Sequence, residues 1–517
     1  MTSNRQQELF GHPAGLFILF FTEMWERFSY YGMRALLVLF LVSGLDEGGW
    51  AWEREDALEL YATYTGLVYL TPIFGGLLAD KVLGFRKAVL LGAFLMTCGH
   101  AAMAFETELT FYLGLFLLII GNGAFKPNIS SIVGNLYPRN SDKKDGAYTI
   151  FYMGINAGAF LGILLCGYIG EKVGWSFGFG LAGIFMFLGM LQFYFAQGIF
   201  GNIGLSPKQG TASDVSVKDG DKELSADKEE NVSAHVERDR LMVIGILSVF
   251  TIFFWMAFEQ AGGSMTIFAK DYTNRLLTGD AANTFRWFNT LLTIAPLAIV
   301  TYVLLMLFGK TFKHYKVSNL FLGSSFVIIW GVALWMIQNE FNQEASEVPA
   351  SWFGILNSFF IIAFAPLFSK IWESKFNPTA SIKFAIGLIL LGLGFGVLAF
   401  GSASIPSGAA TASVSMIWLI LAYLLHTLGE LTLSPVGLSY VSKLAPGRLV
   451  GMMFGVWFLA TALANYLAGW TGSLIDKITE MYSMSTFFLI YTGLPIGAGL
   501  VLIFMAPFIK KKMHGIH

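Results

Sequence analysis

Long apolar runs separated by short polar loops dominate the chain. A helix that crosses a bilayer needs about 20 mostly apolar residues, and about fourteen runs of that length are present. They lie near 14–43, 60–80, 87–104, 110–136, 145–168, 177–199, 241–269, 286–308, 318–338, 352–372, 382–400, 414–441, 450–473 and 484–508. The pattern predicts an all-α polytopic membrane protein.

One polar stretch, residues 201–240, interrupts this pattern. It has too little apolar content to stabilise its own fold, which predicts a cytoplasmic linker. The linker separates a six-helix bundle, residues 1–200, from a C-terminal bundle, residues 241–517, with eight predicted spans. Two six-helix bundles plus an extra helix pair, near 286–338, is the simplest account, an arrangement that resembles the major-facilitator fold. A channel or a membrane enzyme can also have fourteen spans, so the pattern alone leaves the class open.

Composition and loop charge agree with a membrane protein. The 517 residues are 55% hydrophobic and 13% charged, against about 25% charged in a soluble protein. The net charge of −1 favours no nucleic-acid partner. Cys98 and Cys166 lie in apolar runs, so no disulfide framework is expected.

Lys and Arg are concentrated in alternate loops, and loops rich in these residues face the cytoplasm. The basic loops include Lys81, Arg86, Lys87, Lys310, Lys313, Lys316, Lys443 and Lys510 to Lys512. This bias predicts cytoplasmic termini, which an even number of spans requires.

Ionisable residues inside apolar spans are the main functional signal. A charge at bilayer depth costs at least about 2.5 kcal/mol, so it is expected to face a cavity and have a partner. The first span carries Glu23, Glu26, Arg27 and Arg34. The 3-, 4- and 7-residue spacing places one set on a single helix face, namely Glu23, Arg27, Tyr30, Tyr31 and Arg34. The other spans contribute Lys126, Glu259 and Glu430.

Some ionisable residues in the spans also have a purely structural interpretation. Glu23 or Glu26 could simply neutralise Arg27 as a buried ion pair. His426 lies one helical turn before Glu430, and a proton relay there is one interpretation, a neutral packing histidine the other. We favour a functional role for Arg34, Lys126, Glu259 and Glu430, because none of them has an opposite charge within one helical turn on its own span.

Several motifs resemble those of one family. EMWERFSYYG, from Glu23 to Gly32, matches the ExxERFxYYG motif of the proton-dependent oligopeptide transporters. FYMGINAG, GNGAFKPN, EQAGGS, GELTLSPVGLSY and GVWFLATALANYLAG resemble further family segments in the same order, and GGLLADKVLGFRK resembles the loop signature of the major facilitator superfamily. The chain is therefore similar to a bacterial peptide transporter.

This resemblance implies a proton-coupled symporter that imports di- and tripeptides. Proton coupling is then assigned to Glu23, Glu26 and Arg27. The implied substrate-binding residues are Tyr31, Arg34, Tyr69, Lys126, Tyr152, Asn156, Trp255, Asn357, Glu430, Ser434 and Trp457. The pairs Arg34–Glu259 and Lys126–Glu430 are expected to link the bundles when the cavity is empty. A bacterial inner-membrane location and no cofactor or metal besides the proton follow from the same resemblance.

The chain departs from the family pattern after the Glu259 helix, where the surplus helices fall. Two segments compete as the family's next helix, one beginning at Phe288 and one at Leu356; we favour the second for its Asn357-to-Pro366 interval. A same-family transporter of nitrate, a peptide-like drug or another solute is the alternative function. An enzyme is disfavoured by the absence of HExxH, GxSxG and clustered His and Cys.

Overall fold

The computed structural model describes residues 8–138, 141, 143–206, 233–374, 377–446 and 449–516. The first half contains α1 (Ala14–Val42), α2 (Arg54–Leu78), α3 (Phe85–Met103), α4 (Glu108–Asn135), α5 (Lys143–Lys172) and α6 (Trp175–Ala196). The second contains α7 (Ala234–Phe258), α8 (Ser264–Ile267), α9 (Gly279–Thr311), α10 (Lys316–Phe341), α11 (Ile355–Glu373), α12 (Ala380–Gly401), α13 (Ile417–Leu444), α14 (Val450–Gly472), α15 (Ile475–Met481) and α16 (Met484–Lys512).

Six two-residue strands lie in the loops: β1 (Glu8–Leu9), β2 (His12–Pro13), β3 (Thr273–Asn274), β4 (Leu276–Leu277), β5 (Ser346–Glu347) and β6 (Val414–Ser415). The strands pair β1 with β2 and β4 with β5 antiparallel, and β3 with β6 parallel. These strands connect neighbouring loops, and the helices form the core.

The long helices match the apolar runs of the sequence. Twelve helices of the described residues, counting α7 and α8 as one continuous helix, are long and apolar enough to cross a membrane. The other two long helices are α1, which carries four charged residues, and α3, which begins with the basic pair Arg86 and Lys87. Both pack within the same bundle, so the predicted polytopic helical fold is confirmed.

Each half is built on close helix pairs. In the first half α1 packs on α5 and α6, and α3 packs on α4; in the second, α12 packs on α13 and α16. The halves meet where α2 packs on α14. Nearly every side chain of α1 is buried, because α1 lies at the centre of its bundle.

Glycine allows the α1–α5 contact. A Cβ built on Gly162 of α5 would meet the carbonyl of Phe28 and lie 2.8 Å from Phe28 Cα. Small residues of this kind let helix backbones approach within a membrane. The α1 charges are thereby held against α5.

We expect Gly162→Ala to reduce the free energy of unfolding by about 1–3 kcal/mol, since the added methyl must displace backbone. The thermal unfolding temperature of the purified protein measures this. Gly493→Ala is the matched control, because a Cβ at Gly493 in α16 meets nothing within 4 Å. Equal unfolding temperatures for both variants would contradict the close-packing account.

The extra helix pair, α9 and α10, packs on the first half, although it follows α7 in the chain. Ser318 of α10 donates to the Gln192 carbonyl of α6 at 2.7 Å, and Phe321 stacks on Phe195 with ring centroids 5.6 Å apart. Tyr168 of α5 donates to Glu340 at 2.9 Å. Phe288 of α9 also contacts Phe359 of α11, with ring centroids 6.5 Å apart, so the inclusion of this pair in the C-terminal bundle stays a prediction.

Residues 207–232 of the predicted linker lie outside the described residues. Its end needs correction, since residues 234–240 form the first turns of α7. Asp239 in these turns binds Lys512 at 2.7 Å and His514 at 2.8 Å, and this contact ties the start of α7 to the end of α16.

The loops form two faces. We call the face that carries the start of α1 and the end of α16 the terminal face, and the face that carries the α1–α2 loop the opposite face. The basic loop signature lies on the terminal face. There Arg86 donates to the Ile203 and Gly201 carbonyls, both at 2.5 Å, and fixes the segment that follows α6.

Candidate functional site

A cavity of about 340 Å³ lies between the two halves. Helices α1, α2, α4 and α5 provide one wall, and α7, α11 and α13 provide the other. Twelve of the residues predicted from the sequence line this cavity: Glu23, Arg27, Tyr31, Arg34, Tyr69, Lys126, Tyr152, Asn156, Trp255, Glu259, Asn357 and Glu430. Residues that are up to 407 positions apart in the chain therefore share one space.

An ion pair joins the two walls. Arg34 of α1 binds Glu259, which follows α7 directly; Glu259 is buried and the Arg34 side chain is 10% exposed. Arg34 also donates to the Tyr61 hydroxyl of α2, from Nε at 2.8 Å and from Nη2 at 2.5 Å. The Arg34–Glu259 pair predicted from the sequence is thus present, with Tyr61 as a third member.

The second predicted pair, Lys126–Glu430, is not formed in this structure. The Lys126 ammonium lies over the Tyr69 ring, 4.6 Å from its centroid, and both residues belong to the first half. Glu430 accepts a hydrogen bond from Asn357 at 2.8 Å within the second half. The open cavity separates the two charges, so each is satisfied by its own wall.

A buried cluster of charges lies in the first half, beside the wall that carries Arg34 and Lys126. Arg27 Nε is 2.8 Å from Glu23 Oε1 and 2.6 Å from Glu26 Oε2. Asn122 of α4 donates to Glu26 Oε1 at 3.0 Å. Two carboxylates therefore share one guanidinium, and the cluster carries an excess negative charge unless one proton or another cation is added. Glu26 is completely buried, whereas Glu23 and Arg27 reach the cavity.

Two predicted substrate-binding residues lie outside the cavity. Ser434 is one turn beyond Glu430 on α13, and its hydroxyl is buried. The Trp457 ring packs against Phe384, with centroids 6.3 Å apart, and covers Gly437. Neither is among the residues that line the cavity.

The structure distinguishes the two segments that competed in the sequence. Asn357 of α11 lines the cavity, while Asn289 of α9 is buried and accepts from Thr293 at 3.3 Å. The His426 ring packs against Phe395, with centroids 4.5 Å apart, and fills the space beside Gly394. His426 also lines the cavity, so both the packing and the relay interpretation stay predictions.

Ion pairs between the halves cluster on the opposite face. Arg54 of α2 binds Asp271 at 2.7 Å and Asp476 at 2.8 Å, and also donates to the Ala410 carbonyl at 3.0 Å. Further pairs are Lys270–Glu47, Lys477–Glu55 and Lys172–Glu347. Within the described ranges, every ion pair between the halves lies on this face or in the cavity. The cavity is therefore closed at the opposite face.

Two acids of this face, Glu47 and Glu347, stay ionised at neutral pH. Burial raises the pKa of the Glu347 carboxyl, but Lys172 and Arg275 outweigh burial and hold that pKa below its ordinary value. Glu47 behaves alike, because its contact with Lys270 outweighs its burial and lowers its pKa. These pairs keep their strength above the ordinary pKa of a glutamate carboxyl and lose it only as the pH falls through the lowered pKa values.

We expect Arg54→Gln to open the opposite face. Charge-assisted hydrogen bonds contribute roughly 1.5–3 kcal/mol each, so losing two shifts the closed-to-open ratio by more than about tenfold. Spin labels at Glu53 and Ser404, in a variant lacking Cys98 and Cys166, report the loop separation by pulsed electron resonance. Lys477→Gln removes a more exposed pair and is the control. Identical distance distributions for Arg54→Gln and the control would contradict this gate.

Sequence reasoning missed Tyr61, Asn122 and Arg54. Asn122 lies in the GNGAFKPN segment, one helical turn before Lys126, and this spacing could have indicated that Asn122 belongs to the site. Tyr61 is one of several tyrosines in α2, and nothing in the sequence separates it from the others. Arg54 lies among acidic residues at the start of α2, and its partners are more than 200 residues away, so its role depends on the folded arrangement.

Two helical halves around a charged cavity that is closed at one face define a secondary transporter of the major-facilitator type. A family model described as the POT family matches residues 86–217 and 323–489. This chain belongs to the POT family, the proton-dependent oligopeptide transporters, whose members are transporters and not enzymes. The resemblance drawn from the motifs is confirmed.

Individual relatives align along nearly the whole chain. A peptide transporter of Yersinia enterocolitica is 32% identical and covers 93% of this chain and 91% of its own. A di-/tripeptide transporter of Lactococcus lactis subsp. cremoris is 30% identical with 98% coverage of both. The crystal structure of a peptide transporter POT in complex with sulfate superposes with a TM-score of 0.75, at 30% identity and 99% and 98% coverage.

Proposed function

We propose that the protein imports di- and tripeptides together with protons by alternating access. The observation that carries the proposal is the cavity itself, which has Arg34 and Lys126 on one wall and Glu430 on the other. A peptide at neutral pH carries one ammonium and one carboxylate, and this cavity offers a partner for each. The peptide-transporter names of the relatives support the same substrate class.

In the proposed binding mode the peptide carboxylate lies between Arg34 and Lys126. Arg offers a planar fork and Lys a point charge. The ammonium binds Glu430, which Asn357 already orients at 2.8 Å. Tyr31, Tyr69, Tyr152 and Trp255 surround the side-chain space, and aromatic walls contact many side chains without requiring one shape.

Proton coupling is assigned to the Glu23–Arg27–Glu26 cluster. One proton on this cluster removes its excess negative charge, so its electrostatic interaction with Lys126 on the same wall changes. We infer that protonation and peptide binding together allow the ion pairs between the halves to exchange, and that the two bundles then rock about the site. The proton is the coupling ion, and the proposal requires no further cofactor.

The closed opposite face leaves the terminal face as the route to the cavity. We infer that this face is cytoplasmic, because its loops carry the excess of Lys and Arg. The structure then corresponds to an inward-facing state in a bacterial inner membrane, with both termini in the cytoplasm. Peptide would be released through this face after import.

The test compares inhibitors of labelled dialanine uptake into proteoliposomes. Dialanine should compete fully, whereas N-acetyl-dialanine and dialanine amide, each lacking one charge, should compete at least about 30-fold less well. Equal competition by all three would contradict recognition of both termini. Absence of any dialanine uptake, while another solute is transported, would favour the alternative of a different small substrate.

A further inference from the structure

A second pocket lies on the terminal face, away from the central cavity. Its volume is about 420 Å³, and it is formed where α11 and α13 end, α12 begins and α16 ends. Among the described residues, three lysines line it, Lys383, Lys443 and Lys510, and none of the described lining residues is acidic. We call it the lysine pocket.

The lysines are arranged around aromatic and hydroxyl groups. The Lys383 ammonium lies 4.7 Å from the centroid of the Trp372 ring, and the Lys443 ammonium lies 5.3 Å from that of Tyr440. Thr379 and Ser439 add hydroxyls to the lining. Lys383 and Lys443 are also close enough to repel each other. Such repulsion is relieved when an anion binds between them.

The position of the pocket in the membrane indicates which class of anion it binds. Because it lies at helix ends, it is at the level where lipid headgroups meet the protein, and Trp and Tyr are typical of that level. Below Lys510, Ile503 and Pro507 are exposed on the same side of α16, at one- and two-turn spacing. An acyl chain can lie along this apolar strip while its headgroup remains among the lysines.

We propose that the lysine pocket binds the phosphate of an anionic phospholipid headgroup. Basic pockets between spanning helices on the cytoplasmic side are suited to such headgroups. A bound lipid would join α11, α12, α13 and α16 at the terminal face. The site is independent of peptide recognition, because none of its residues lines the central cavity.

Native mass spectrometry of the full-length protein tests the proposal, with phosphatidylglycerol, phosphatidylcholine and inorganic phosphate as separate probes. The protein should bind phosphatidylglycerol in preference to phosphatidylcholine. The triple variant Lys383→Gln, Lys443→Gln, Lys510→Gln should bind phosphatidylglycerol on the order of 100-fold more weakly, at roughly fivefold for each lysine.

The control is the triple variant Lys310→Gln, Lys313→Gln, Lys316→Gln, which removes three exposed lysines from the same face. It should keep wild-type affinity. Equal losses in both triple variants, or none in either, would overturn the site, because binding would then follow surface charge or other residues. Binding of inorganic phosphate without phosphatidylglycerol would overturn the lipid assignment. The single variant Lys443→Gln should show about a fivefold loss even if the triple variant fails to fold.

Discussion

Glu430→Gln should reduce dialanine uptake by at least about 30-fold, because the peptide ammonium loses its only proposed anionic partner in the second half. Truncating one partner of a buried charge pair costs about 2–5 kcal/mol. Gln keeps the shape of the side chain and can still contact Asn357, so the loss reports the charge. Uptake of labelled dialanine into proteoliposomes under an inward proton gradient measures it.

The control for this prediction is Glu373→Gln, since Glu373 is exposed at the end of α11 and does not line the cavity. A second readout separates binding from other defects. N-acetyl-dialanine should compete much less well than dialanine in the wild type, and the two should compete almost equally in Glu430→Gln. Unchanged gradient-driven uptake by the variant would remove Glu430 from peptide recognition.

Glu26→Gln should abolish proton-driven accumulation while leaving peptide exchange. The substitution fixes the cluster around Arg27 in a charge state equivalent to the protonated one, so the transporter can still reorient with peptide but cannot release a proton there. Accumulation of dialanine above equilibrium should fall to about onefold, whereas counterflow between peptide-loaded liposomes and labelled peptide should stay within about threefold of wild type.

Glu23→Gln serves as the second variant, because Glu23 shares Arg27 but also reaches the cavity. The exposed Glu108→Gln, at the start of α4, is the control and should accumulate normally. If Glu26→Gln accumulates peptide like wild type and Glu23→Gln does not, the coupling group is Glu23. If both accumulate normally, the cluster has a structural role only.

The sequence predicts the fold well because each spanning helix is visible as a local run of apolar residues. It also predicts the charged face of α1, since the spacing of Glu23, Arg27 and Arg34 is set by helix geometry alone. The Arg34–Glu259 pair follows from charge inside an apolar span, which requires a partner. These features are local or follow from the cost of an unpaired charge.

The remaining features depend on packing between distant segments. The extra helix pair is visible in the sequence, but its position against α5 and α6 depends on contacts such as Ser318 with Gln192. The gate at Arg54 joins residues more than 200 positions apart. Ser434 and Trp457 were assigned by resemblance, and neither lines the cavity in this structure.

The most direct test of the account is proton entry that depends on peptide. Proteoliposomes with an internal pH indicator would receive dialanine at equal internal and external pH, with a negative internal potential imposed. The account predicts internal acidification on addition of dialanine, none with alanine alone, and loss of the signal in Glu26→Gln. Dialanine uptake without any acidification would contradict proton-coupled symport, even if the fold and the cavity are as described.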